Sequence, residues 1–439
     1  MRARWQAMVL AVALLAIGVP GVAAVASPAV AARPPAVVTV PGGAPTIQAA
    51  VNAARPGTLI MVAPGVHHEA VTIGRAHSNL VIRGVDRNTS IVDCGFNEDP
   101  SHSDGFKVLA DGVAIENLTI RDCTSNAVLW QGVNGYRGSY LTAVRTGDYG
   151  LYAFDSTHGT WDHDFAMGSP DAGFYIGQCY PCHALITDVE SEWNGLGYSG
   201  TNSGGDLVIA RSRFHDNRSG IVPNSGSEEK NPPERATTIV GNAVYANHNE
   251  QTAAIDIAAT ATGTGILLAG GIGNLVARNL VYDHTLAGIG VVPLPEQLIS
   301  PSSHAQNFDA RQNRVIGNVV RTSNFDLVLI STINAATDAG GNCFSGNQHG
   351  TSLPADLEQV APCTGPPTGT FQADLSRFAS LILATHATPP NYQAVSLPPV
   401  PTLPSMPDAR HAPARPATHE PSRAVNVARV GVPAPPTPG

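Results

Sequence analysis

The stretch AVLWQGVNGYRGSYLTAVRTGDYGLYAFDSTHGTWDHDFAMGSPDAGFYIGQ, residues 127–178, contains the same short phrase three times. A small residue followed by an apolar one opens each repeat: Ala127-Val128, Gly150-Leu151 and Gly173-Phe174, spaced by 23 and 23. The pattern continues through Gly195-Leu196, Gly220-Ile221, Gly265-Ile266 and Gly288-Ile289, at steps of 22, 25, 45 and 23. A fixed period in the range of 20 to 50 residues is the mark of a stacked solenoid, in which each coil buries its apolar face against the next.

Between these phrases lies a second one, a polar residue set in an apolar alternation: Asn117, Asp164, Ser212, Asn242, Asn279 and Asn313. Equivalent side chains one coil apart stack, so inward amides are expected to pair along a ladder. Polar insertions at 224–236 and 293–308 account for the wider steps. Leucine-rich repeats share the period, but their LxxLxLxxN phrase is absent and Gly and Val stand at the strand positions.

Composition agrees. The 439 residues include 44 Gly and 35 Pro, and only 13% are charged, which favours many short strands and tight turns over helical bundles. The formal charge of -9 argues against nucleic acid as a partner, because such binding needs a basic face. Residues 1–31 have the parts of a secretory signal: Arg2 and Arg4, an apolar run from Ala7 to Val19, and small residues ending at Ala26 or Ala31. The run is too short for a spanning helix, so no stable membrane span is expected after cleavage and the location is secreted or cell-wall associated. Export makes disulfides the expected state of the six cysteines, paired by spacing as Cys94 with Cys123, Cys179 with Cys182 and Cys343 with Cys363. The CxxC at 179–182 is also a possible redox motif, although strand-like sequence flanks it where such motifs open a helix.

The expected organisation is therefore all-β. A signal peptide (1–31) precedes a parallel β-helix (37–365) that begins with a capping helix carrying Ile47, Val51 and Ala54 on one face. A C-terminal capping helix (366–388) presents Phe371, Leu375, Phe378 and Ile382. The last segment, 389–439, has 14 Pro residues and no apolar periodicity, and is expected to be a disordered, extended tail.

The alternating strands, the N-x-h-h turns, the opening TIQAAVNAARPGTLIMVAPG and the coil DAGFYIGQ resemble the right-handed parallel β-helix, pectin-lyase-like superfamily, and most nearly bacterial secreted β-helix-repeat proteins. That resemblance covers residues 37–365. It implies the right-handed solenoid and an extracellular, acidic polysaccharide as partner, with lyase or epimerase chemistry. It equally allows a non-catalytic glycan- or wall-binding module, or an accessory protein like the nitrous-oxide-reductase helper. The superfamily's polygalacturonase and epimerase motifs are absent, so no catalytic set carries over.

Register supplies candidates instead. Asp148-Tyr149-Gly150-Leu151-Tyr152 and Asp171-Ala172-Gly173-Phe174-Tyr175 share D-x-G-h-Y at a spacing of 23 and should lie on adjacent coils. Leu151 and Phe174 then face inward and Tyr152 and Tyr175 outward. Two carboxylates about 4.8 Å apart in backbone position repel; one is expected to hold a proton, or both to hold a cation such as Ca²⁺. Stacked aspartates also serve structure by bonding backbone N–H groups, and that reading stays open. The column is expected to continue to Trp193 and Arg218, as a stacking platform and a carboxylate clamp. Asp148, Asp171, Tyr175, Arg218 and His158 are thus candidates for catalysis, Tyr152, Trp193, Lys230 and Arg235 for substrate binding. The chain is expected to be a monomer.

Overall fold

The structure is a computed structural model that describes residues 36–299, 301–382, 386–417 and 425–436. The signal-type segment 1–31 lies outside the described residues. Among them the chain winds through three long sheets of twelve, ten and eleven strands, each strand pairing with its equivalent one coil away. The first, second and third sheets begin at Val37–Val40, Gly65–His67 and Val71–Ile73. Every pairing in them is parallel; one small antiparallel pair, Leu294–Pro295 with Asn307–Phe308, lies in the second long insertion. The opening helix, Ile47–Ala53, starts where the Thr46 side chain accepts from Ala49 N and buries Ile47, Ala50 and Val51 at the end of the core.

The 23-residue register appears directly in the third sheet, where Val128 pairs with Leu151 and Leu151 with Phe174. The next partner of Phe174 is Tyr198. The repeated phrase on that coil is therefore Gly197-Tyr198, not Gly195-Leu196. Both pairs read as small-then-apolar and differ by two residues, which leaves the inward face unchanged, so alternation alone does not separate them. The 45-residue step is a single coil, since Ile221 pairs with Ile266. Its extra length lies in two excursions from the ladder: the loop 225–234 and a segment holding the short helix Asp256–Thr260.

Inward residues Leu151, Phe174, Tyr198, Ile221, Ile266 and Ile289 are fully buried. At the turns the expected amide ladder is present. Asn242 N donates to Asn279 Oδ1 at 2.9 Å, Asn279 N to Asn318 Oδ1 at 2.9 Å, and Asn318 N to Asn347 Oδ1 at 3.0 Å. Asn313 belongs to a separate ladder with Asn274 and Asn342. Asn279 is buried and uses both ends of its amide, also donating to Ile239 O and Asn318 Oδ1. Asn279→Ala strands buried backbone and amide groups on two coils, at about 1–3 kcal/mol for each unpaired group. A fall of the denaturation midpoint equivalent to more than about 2 kcal/mol is expected.

All three expected disulfides are formed: Cys94–Cys123, Cys179–Cys182 and Cys343–Cys363. A C-terminal helix is present at Leu375–Ile382, shorter than the expected span; Phe371 is buried in the core and Leu375 packs against it, while the side chains of Phe378 and Ile382 lie outside the described residues. No described helix is long and apolar enough to cross a membrane.

The described stretches of the Pro-rich segment are held to the solenoid. Arg83 donates to the carbonyls of Ala409, Ala412 and Pro413, Asn88 Nδ2 to Leu403 O, and Arg278 to Val427 and Val430. A chain without a ladder of its own has unpaired carbonyls, and guanidinium groups covered on the sheets need acceptors. Each supplies what the other lacks.

Candidate active site

The strands Tyr149–Phe154, Ala172–Gly177, Leu196–Thr201 and Ser219–Asn224 present their outer faces side by side in the third sheet. The two excursions of the long coil rise along this face. On one side Ala258 and Ala261 pack on Ala172, Leu196 and Val222. On the other, the loop 225–234 is pinned where Tyr175 Oη donates to Glu229 at 3.0 Å and Ser227 N donates to Glu296 at 3.2 Å. Between them runs a groove of about 570 Å³, lined by Tyr149, Asp171, Ser199, Thr201 and Asn224 and by the carboxylates of Glu228, Glu229, Asp256 and Glu296.

Asp148 and Asp171 stand on adjacent coils as expected, with Asp171 N donating to Asp148 O and Tyr149 paired with Ala172. Asp171 is only 4% exposed. Its Oδ2 accepts from Tyr149 Oη at 2.7 Å, while its Oδ1 is buried with no hydrogen-bond partner. Burial pushes the Asp171 carboxyl up to about 8; the charges of Asp148, Asp256 and Glu229 push the same way, against the Tyr149 hydroxyl. Asp148, less deeply placed, is raised to about 6 by burial, Asp256 and Asp104. Burial raises Glu229 as well. At neutral pH the pair is therefore one carboxylic acid and one carboxylate. With Oδ2 accepting from Tyr149, the acid hydrogen of Asp171 belongs on Oδ1.

The outward tyrosines are also as expected. Tyr152 pairs with Tyr175, their rings 4.9 Å apart, and both lie against Tyr149 at 4.4 and 4.7 Å. Tyr175, buried and bonded to Glu229, braces the wall.

The remaining expected members are placed elsewhere. Position 195, not 193, follows Asp171 in the column, because Ala172 pairs with Leu196. Trp193 therefore sits in the preceding turn, with φ of 55°. Arg218 does fall in the column, but its side chain is fully buried and donates to Glu250 O at 3.0 Å. It offers no cation to the groove. His158 lies in the first sheet, its ring stacked on His183 at 4.7 Å. Lys230 pairs with Asp155, and the Arg235 guanidinium lies over the Tyr180 ring at 4.1 Å.

Asp148 and Asp171 do not fit Ca²⁺ as they stand. A hydroxyl hydrogen occupies one oxygen of Asp171, and no third His, Cys, Asp or Glu gathers with them: among the described residues the one such group within 4.8 Å is Glu192, His215 and Asp216. In that group both ring nitrogens of His215 face carboxylates, and His215 is raised to about 9 by Asp216 and Glu190 against the effect of burial, so it is an imidazolium at neutral pH.

No protein-family model and no curated protein matches the chain. Among solved structures it is similar to the A-module of the mannuronan C-5 epimerase AlgE4 of Azotobacter vinelandii, with TM-score 0.50 and 14% identity over 69% of this chain and 90% of that one. A PL6 family alginate lyase (TM-score 0.48, 14% identity, 76% of this chain and 46% of that one) and the pectate lyase Pel9A (0.43, 12%, 73% and 78%) also match. At such identities the likeness is one of fold. The chain has the fold of a right-handed parallel β-helix.

Proposed function

We propose that this is an exported protein that hydrolyses glycosidic bonds of an extracellular polysaccharide in the groove over Tyr149 and Asp171. The observation that carries the reading is Asp171 itself: a carboxylic acid kept neutral at physiological pH, which lines a groove and has one buried oxygen without a hydrogen-bond partner. The fold shared with a mannuronan epimerase module supports a polysaccharide partner. In the proposed step Asp171 Oδ1–H gives its proton to the departing glycosidic oxygen as the C–O bond breaks. Water bonds to the anomeric carbon and loses its proton to the ionised Asp148, and proton exchange with solvent restores both groups.

Lyase and epimerase chemistry, which the resemblance suggests, removes a proton beside a uronate carboxylate, whose charge has to be neutralised. Among the described residues no Lys or Arg lines this groove. Hydrolysis by a paired acid and carboxylate fits the residues better.

The test is incubation with neutral, acidic and amino polysaccharides, followed by reducing ends and by the absorbance of unsaturated uronates. Reducing ends without unsaturated product are expected. The rate should be bell-shaped in pH, rising as Asp148 ionises near 6 and falling as Asp171 loses its proton near 8. Unsaturated product would replace hydrolysis with elimination; glycan binding without turnover would make the protein a binding module.

A further inference from the structure

The charge of the groove is one-sided. Five of its lining residues are acidic, Asp171, Glu228, Glu229, Asp256 and Glu296, and none is Lys, Arg or His. The nearby basic groups already have partners: Lys230 pairs with Asp155, Arg235 lies on Tyr180, Arg218 tucks under the neighbouring loop on Glu250 O, and His304 Nδ1 lies 3.6 Å from Glu228. Some of the acids have protein partners. Glu296 accepts from Ser227 and Gln306, Glu229 from Tyr175, and Glu228 from Ser302. Asp171 Oδ1, deeply buried at the floor, has none. Beside it Tyr149, Tyr152 and Tyr175 form a knot of electron-rich rings within 4.4 to 4.9 Å of one another.

We infer that the groove selects a glycan bearing free amino groups, a hexosamine polymer, and turns polyuronates away. The inference rests on the glycan-groove reading above and departs from the acidic polysaccharide that the family resemblance implies. A uronate entering the groove brings its charge beside Glu228, Asp256 and Glu296, with no Lys or Arg among the described lining residues to offset it. An ammonium group gains from the same field and from Tyr149, which lines the groove. A divalent metal is the other ligand a carboxylate-lined cleft suggests, yet it needs converging ligands. These carboxylates are distributed along the groove: among the described residues, no three of its acidic side chains bring ligand atoms within 4.8 Å of one another. Distributed negative charge matches a polymer with one ammonium per sugar.

The experiment is calorimetric titration of the full chain near pH 6 with oligomers of glucosamine, N-acetylglucosamine and galacturonate. The glucosamine oligomer should bind at least about tenfold more tightly than the acetylated one, the preference should fall with added salt, and the galacturonate oligomer should not bind. Asp256→Asn, an exposed position, should reduce the preference several-fold. Equal affinity for the acetylated and free-amine oligomers, or tighter binding of galacturonate, overturns the inference. Hydrolysis of a neutral or acidic glycan that requires Asp171 would overturn the amino-sugar assignment and leave the catalytic reading standing. Amino-sugar binding that survives while Asp171→Asn retains full turnover would do the reverse. Absence of binding by all three removes both.

Discussion

Asp171→Asn should abolish turnover and, in the same protein, raise the melting temperature at alkaline pH. The catalytic loss follows from the proton: an amide in the same shape has none to give a departing oxygen, and losing a general acid typically lowers rates by about 10²–10⁴. The gain in stability follows from burial. Asp171 titrates near 8 when folded and near the ordinary 3.8 when unfolded, so between those values the folded state binds more protons. Stability then falls as pH rises through that window. The contribution is intact below about 4 and fully lost above about 8, a difference of roughly 6 kcal/mol at ~1.4 kcal/mol per unit. Asn removes this dependence while its side-chain oxygen still accepts from Tyr149. Melts of the two proteins should therefore coincide near the acid end and separate towards pH 9, with the variant higher. Equal slopes across the range would mean that Asp171 is not held protonated, and the acid role would go with it. Glu234, fully buried and raised to about 8, and His215, raised to about 9 and so stabilising only below that value, tilt the wild type the same way.

That one residue carries both effects explains why the site is partly readable from sequence. Solenoid register is a one-dimensional property, and D-x-G-h-Y at a spacing of 23 places Asp148 on Asp171 and Tyr152 on Tyr175 without any knowledge of the third dimension. The motif also contains Tyr149, the donor to Asp171, which strict alternation from the inward Leu151 would turn to the core but which packs on the outer face. Where two phrases compete within one coil, register is ambiguous. Gly195-Leu196 and Gly197-Tyr198 satisfy the same alternation, and choosing the first shifts the column by two and brings Trp193 into it wrongly. Asn313 and Asn318 present the same ambiguity at the turns. Arg218 shows a different limit: its backbone position follows from the period, but whether a long side chain turns outward or tucks under the neighbouring loop depends on the acceptor waiting there, Glu250 O. Glu229 and Asp256 were out of reach for a third reason. They sit in excursions that break the period, and only the packing of Ala258 on Leu196 and the bond from Tyr175 bring them over the same face. A repeat determines its floor and leaves its walls to the insertions.

The other large effect is expected far from the groove, where the tail meets the first sheet. Glu116 is buried between two guanidinium groups, bonded to Arg83 Nε at 2.7 Å and to Arg137 Nη2. Those arginines turn their remaining N–H groups to the tail, Arg83 to the carbonyls of Ala409, Ala412 and Pro413 and Arg137 to that of Arg415. Glu116→Ala leaves two like charges facing each other with no counter-ion, a change that typically costs about 3–5 kcal/mol. Because a solenoid coil contacts only its neighbours, the loss should appear first as local opening at this end of the stack. Limited proteolysis should then cut the segment 403–417 faster than in the wild type, while the groove, which begins two coils on from Glu116 and on the third sheet, keeps its activity. Replacing Arg83, Glu116 and Arg137 together with apolar residues of similar volume separates charge from packing: the solenoid should recover most of its stability, since a well-packed apolar set is often neutral relative to a buried ion network. The tail should not recover, because its carbonyls would have lost their donors. If the tail stays protected in the triple variant, its hold on the sheet is apolar contact and the arginines serve only each other.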